Sequence, residues 1–144
     1  RERIHALVTE TVEAGATVHR GGEVPEQTGY FYPPTVLSGI PADARILREE
    51  IFGPVATVST FSTLDEAIEK ANDTEFGLAS YAFSENVHTC QRFAKELAAG
   101  MVGINRGMIT DIAAPFGGIK QSGFGREGGI EGIEEYLDIR YIGS

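Results

Sequence analysis

With 144 residues, 42% hydrophobic and 23% charged, the chain has the make-up of one soluble globular domain and not of a disordered or fibrous segment. Twelve Lys and Arg against twenty-one Asp and Glu leave a formal charge of −9, and no basic cluster interrupts that balance, which argues against nucleic acid or an anionic membrane surface as partner. No apolar run approaches the ~18 residues of a membrane-spanning helix, the opening RERIHALVTE lacks the apolar core of a signal peptide, and a single cysteine permits no internal disulfide, so a cytoplasmic location is expected.

The first element is a helix. Ile4, Leu7, Val8 and Thr11/Val12 recur at helical spacing, and Gly15 stands where a left-handed cap would close it. ATVHR (16–20) predicts a short strand before the Gly21-Gly22 turn, YFYPPTVL (30–37) an edge strand, and PVATVSTF (54–61) a clearer one. In STLDEAIEKAN, Ser62 or Thr63 can cap a helix and Asp65 or Glu66 can close a capping box, while Leu64, Ala67, Ile68 and Ala71 form its apolar stripe. LASYAFS (78–84) predicts a strand, and the next stretch a helix with Val87, Cys90, Ala94 and Leu97 inward, ending at Gly100. MVGIN follows as an apolar strand. Strands alternating with helices predict an α/β fold with a mostly parallel sheet, because parallel neighbours need crossover connections. From Arg106 to Gly129 the pattern gives way to a glycine-rich loop too long for a mere connector. EYLDIRYIG then alternates like a strand with two different faces, one whose sheet could belong to another chain.

Several short patterns lead nowhere by themselves. GFGREG (123–128) spells the dinucleotide-binding fingerprint, but GGIKQS before it is no strand, and no acidic residue follows at the required distance. Cys90 lies on a core stripe without a nucleophile's neighbours. His5, His19 and His88 fall in different elements, so no metal site is expected. Asn72-Asp73-Thr74 is a glycosylation sequon without a secretory context. Glu49 and Glu50 are adjacent, diverge in either regular structure, and cannot form a paired-carboxylate acid/base site.

Taken together and in order, EEIFGPV (49–55), ANDTEFGLAS (71–80), GMVGIN (100–105) and APFGGIKQSGFGREGG (114–129) resemble the C-terminal part of the NAD(P)-dependent aldehyde dehydrogenases. Within that family GIEEYLDIRYI is most similar to the succinate-semialdehyde type. The resemblance covers essentially all of the chain but only about the last third of the family's usual length, so it implies a fragment. Residues 1–129 would be the end of the catalytic domain and 130–144 a helix/strand tail for oligomerisation. The family's chemistry, in which a cysteine adds to the aldehyde, hydride passes to NAD or NADP and a glutamate activates water for thioester hydrolysis, uses groups upstream of this chain, as does the Rossmann domain. The isolated chain is therefore expected to be inactive.

On this resemblance Glu50 and Phe52 are the cofactor-binding residues, the carboxylate accepting bonds from the nicotinamide ribose hydroxyls and the ring limiting how the nicotinamide moves. Phe116 corresponds to an aromatic of the aldehyde tunnel, where an apolar wall keeps water out. Thr110 occupies a position where semialdehyde enzymes usually carry serine to bind the distal carboxylate; it keeps the hydroxyl and adds a methyl. Arg106, four residues before it, could assist as a cation, and is read first as a solvated arginine. Glu127 corresponds to a glutamate supporting a proton path to a lysine of the absent domain. Residues 136–142 would pair with a neighbouring subunit, giving a homo-oligomer. Two other readings stand beside this one: a non-enzymatic oligomerisation module, and an autonomous nucleotide-binding domain resting on GFGREG alone.

Overall fold

A computed structural model describes residues 1–143; Ser144, the last residue of the expected tail, lies outside the described residues. The chain forms two compact units, Arg1–Phe61 and Ser62–Ser144.

In the first unit, helix α1 (Glu2–Glu13) leads into strand β1 (Thr17–Arg20), β2 (Thr35–Ser38), a 3-10 turn at Arg45–Leu47 and β3 (Val55–Val58). The three strands make one sheet in the order β1-β2-β3. β1 and β2 run antiparallel, Val18 facing Leu37, while β2 and β3 run parallel from Thr35↔Val55 to Ser38↔Val58. Leu7, Val8, Leu37 and Ile46 form the buried core, flanked by Tyr32, Ile40, Ala44, Ile51 and Val55. Burial drives this packing, and the polar groups caught within it are satisfied. Thr11 Oγ donates to the Leu7 carbonyl at 2.7 Å, and Thr35 Oγ accepts from Gly22 N at 2.9 Å. Gly21 is obligatory at that turn: its φ is +68°, and a Cβ would stand 2.5 Å from Thr35 Oγ. The predicted strand at 30–37 shrinks to Thr35–Ser38 because Pro33 and Pro34 have no N–H to give a ladder.

The second unit holds α2 (Leu64–Asn72), β4 (Phe76–Gly77), β5 (Ala79–Ala82), α3 (Val87–Glu96), β6 (Met101–Ile104), β7 (Ile119–Lys120) and a 3-10 helix at Glu131–Tyr136. β5 and β6 are parallel, Ala79↔Met101 to Ala82↔Ile104, with α3 as their crossover. β4 pairs antiparallel with β7. The α2 cap is the expected one: Thr63 Oγ accepts from Glu66 N, and the Glu66 carboxylate accepts from Ser62 N at 2.7 Å. α3 stops at Glu96, not Gly100. Leu97 turns extended, and Gly100 instead allows a close backbone approach to Gly117. No residue of α3 is buried, so Cys90 is not the core cysteine its spacing predicts; it is half-buried, with Sγ 3.3 Å from the Ser84 carbonyl. The glycine-rich stretch is not structureless either, since it carries β7 and a bridge between Phe116 and Glu127. Residues 137–143, expected as a strand, are exposed, lie in no helix or strand, and have no ladder partner among the described residues.

An ion pair from Arg92 to Asp65 ties α3 to α2, and further pairs lie within each helix. Arg92 holds Asp65 at 2.7 Å and Glu96 at 2.7 Å, and Lys70 holds Glu66 at 2.6 Å. The Arg92 guanidinium holds the Glu96 carboxyl below its ordinary 4.5; Lys70, and then Ser62 N, do the same for Glu66. A lowered folded pKa means a stabilisation complete above 4.5 and lost as the pH falls through the folded values. The chain's resistance to urea is therefore expected to fall as the pH drops below 4.5, and the double variant Glu66→Gln/Glu96→Gln to flatten that slope. An unchanged slope would show that these pairs contribute nothing, as exposed pairs often do.

Candidate functional site

Glu50 and Phe52 stand on one loop of the first unit, and the sequence around them explains its rigidity. Arg3 Nη2 donates to the Ile51 carbonyl at 2.6 Å and Nη1 to that of Glu50 at 3.3 Å. Glu49 turns the other way: its carboxylate takes Arg45 Nε at 2.7 Å, while Arg45 also holds Glu10 at 2.7 Å. Of the two adjacent carboxylates one is tied down and one is open. Glu50 is exposed, and its carboxylate has no hydrogen bond or ion pair among the described residues. Phe52 has φ +47° and is 83% exposed. A bulky side chain in the left-handed region costs about 1–3 kcal/mol and persists only where its surroundings dictate it. Here the two preceding carbonyls are held by Arg3, and the following Gly53 abuts Ile4 so closely that a Cβ would collide with its Cδ1.

In the second unit Phe116 and Glu127 are brought together through their backbones. Phe116 N donates to Glu127 O at 2.6 Å, and Glu127 N to Phe116 O at 2.8 Å. Arg126 fastens the turn behind them, donating to the carbonyls of Gly118 at 2.8 Å and Gly125 at 2.7 Å. The pair borders a cleft of about 660 Å³ that Phe124, Arg126, Glu135 and Tyr136 also line. Positive φ at Gly123, Gly125, Gly128 and Gly129 shapes this turn, and a Cβ on Gly125 would meet the Glu135 carboxylate at 2.8 Å. A two-residue strand precedes GFGREG and a 3-10 helix follows it. GGIKQS, read from sequence as no strand, thus holds β7, but that strand is two residues long and no α-helix follows the glycines among the described residues, so they serve the turn. Thr110 lies exposed in the loop before this pair and makes no side-chain hydrogen bond among the described residues; Arg106 Nε is used locally, donating to the Met108 carbonyl at 2.7 Å.

Two side chains escaped the sequence reading. Asn105, at φ +54°, clamps Ser84 from both sides: Oδ1 accepts from Ser84 N and Nδ2 donates to Ser84 O, each at 2.8 Å. That anchors the point where the loop carrying Thr110 leaves β6. Asn72 joins α2 to the end of α3, Nδ2 donating to Glu96 O and Oδ1 accepting from Ala98 N, both at 2.7 Å. An asparagine at the end of a predicted element was the available signal in both places.

The aldehyde dehydrogenase family profile matches residues 1–142, and the chain belongs to that family. It is 54% identical over 143 residues to a succinate-semialdehyde dehydrogenase of Paenarthrobacter nicotinovorans, covering 99% of this chain and 32% of the relative. To the chloroplastic betaine aldehyde dehydrogenase of Beta vulgaris it is 48% identical over 145 residues, covering 99% and 29%. Among solved structures, succinate-semialdehyde dehydrogenase from Burkholderia pseudomallei is similar with a TM-score of 0.91 at 42% identity, covering 98% of this chain and 29% of that one. Betaine aldehyde dehydrogenase from Staphylococcus aureus in complex with NAD+ gives 0.89 at 43%, covering 95% and 28%. The chain thus spans about a third of the length of the curated relatives it matches. Its α/β fold is that of the corresponding part of aldehyde dehydrogenase structures.

Proposed function

We propose that this chain supplies cofactor-binding residues from its first unit and substrate-binding residues from its second to an NAD(P)-dependent dehydrogenase that oxidises a semialdehyde, succinate semialdehyde first, to its acid. The observation that carries the cofactor part is the loop at 49–53, which holds an open carboxylate and an exposed ring on a backbone fixed by Arg3. An unpartnered carboxylate suits two ribose hydroxyl donors, and a strained, exposed phenyl suits a flat ring, so these residues fit the nicotinamide end of NAD or NADP. NAD(P)+ supplies the hydride acceptor when bound. Glu50 would orient the ribose, and Phe52 would restrict the ring beside it.

Phe116 would give the aldehyde an apolar wall that excludes water, and Thr110 a hydroxyl donor for the distal carboxylate. Glu127, coupled to Phe116 by two backbone bonds, would support proton movement. The identity to succinate-semialdehyde dehydrogenases supports the substrate class. In this reading the nucleophilic cysteine that forms the thioester, the general-base glutamate and the Rossmann domain lie outside this chain, which alone is inactive. The half-buried thiol of Cys90, already donating to a carbonyl, agrees with a structural role. The exposed Leu137, Ile139, Tyr141 and Ile142 would be covered by a neighbouring subunit of a cytoplasmic homo-oligomer. They also favour the second reading, an oligomerisation module without activity.

The test is a chimaera in which this chain replaces the matching C-terminal part of the Paenarthrobacter nicotinovorans relative. Oxidation of succinate semialdehyde, followed by NAD(P)H fluorescence, is expected from the chimaera and not from the isolated chain. A folded, oligomeric chimaera without turnover would favour the module.

A further inference from the structure

We infer that Lys120 is a positioning residue for the substrate wall, fixing the Phe116–Glu127 pair from the far side of the turn. The inference rests on the functional reading above. Lys120 Nζ reaches across to two carbonyls at the end of α2, Asn72 O at 3.1 Å and Thr74 O at 3.0 Å. Asn72 ends α2, where the helix dipole favours a cation, and its carbonyl also accepts from Thr74 N at 2.8 Å, so Nζ closes over the turn that leaves the helix. The same Asn72 carries the side-chain amide that ties α2 to Glu96 and Ala98, so one ammonium joins the ends of two helices to the glycine-rich turn.

The backbone of Lys120 is itself held in a costly conformation. Its φ is +56°, a conformation that a non-glycine residue holds only when the surroundings over-determine it. The neighbouring bonds repeat the attachment: Gln121 N donates to Glu75 O at 2.9 Å, and Ser122 Oγ accepts from Gly77 N at 2.9 Å. From Lys120 back to Phe116 the chain passes through Ile119, Gly118 and Gly117, and the two glycines are pressed against Ser122 and Arg126 respectively. A turn so crowded transmits a shift of Lys120 to Phe116 instead of absorbing it.

Phe116 would line the aldehyde's path, whereas the cofactor residues Glu50 and Phe52 belong to the other unit. Loss of the tie should therefore act on the aldehyde and spare the cofactor. In the active chimaera, Lys120→Met is expected to raise the KM for succinate semialdehyde about tenfold, since small misplacements near a reacting group are costly, with the KM for NAD(P)+ unchanged. Lys120→Arg, which keeps the cation, should restore it. Lys120→Gly, which removes the backbone strain together with the tie, should resemble Lys120→Met. A second measurement is independent of turnover. In the 144-residue chain, amide hydrogen exchange at Phe116 and Glu127 is expected to quicken about tenfold in Lys120→Met, while the α1 amides keep their rates. Unchanged exchange and KM in Lys120→Met, or parental values in Lys120→Gly, would overturn the inference. An inactive parent chimaera would count against the functional reading alone, because the exchange measurement still decides the role of Lys120.

Discussion

Gly100→Ala is expected to be the most damaging single methyl that can be added to this chain. A Cβ there would collide with the Gly117 carbonyl oxygen and stand 2.9 Å from both Gly117 C and Gly118 Cα. All three atoms are backbone, held in turn by the Phe116–Glu127 bridge and by Arg126, so no flexible side chain can swing aside. Overpacking against a well-determined backbone costs about 3 kcal/mol, which lowers Tm by about 10 °C in a protein of this size. Gly107→Ala is the matched control. Nothing lies within 4 Å of its added Cβ, and a change within about 0.5 kcal/mol is expected. Thermal unfolding followed by circular dichroism reads both, and equal Tm values for the two variants would mean that the approach of Gly100 to Gly117 is not as close as described.

The largest effect on turnover is expected at Glu50. Hydrogen bonds to a charged group contribute about 1.5–3 kcal/mol, so Glu50→Gln in the chimaera should lower kcat/KM for NAD(P)+ by about ten- to a hundredfold. Its neighbour provides the contrast. Glu49 spends its carboxylate on Arg45, and Arg3 stands 3.9 Å from its other oxygen, so Glu49→Gln should lower thermal stability and leave cofactor use nearly intact. Equal losses of kcat/KM in the two variants would remove Glu50 from the cofactor site.

How much of this could be read from the residues differs from element to element. α2 was fully legible, because its cap, capping box and apolar stripe are all contained in one short segment. The parallel β5-α3-β6 unit was legible from its alternation, although α3 ends earlier than its glycine suggested. The β4-β7 ladder was not legible. Each strand has two residues, and the bonds beside their pairing come from the side chains of Lys120 and Ser122 to a backbone far away in sequence. Edge strands were drawn too long where proline silenced the ladder. Glu50, Phe52, Thr110, Phe116 and Glu127 came from resemblance alone, since no local periodicity marks them. Of these, the structure joins Phe116 to Glu127 directly and sets Glu50 and Phe52 on a shared loop. The left-handed backbones of Phe52, Asn105 and Lys120 are tertiary decisions that composition does not reveal.

The Asn72 junction has a chemical consequence for the lifetime of the protein. Its amide nitrogen is the donor to Glu96 O, and its amide oxygen is the acceptor for Ala98 N. Hydrolysis of that amide to a carboxylate, by substitution or by slow ageing, would keep the second bond but set acceptor against acceptor in the first, with a new negative charge at the C-terminal ends of both helices. A sugar attached at the same nitrogen would leave it a single N–H, the one that the Glu96 carbonyl takes. One nitrogen atom thus decides whether the ends of α2 and α3 stay joined, and loss of its amide would loosen that junction.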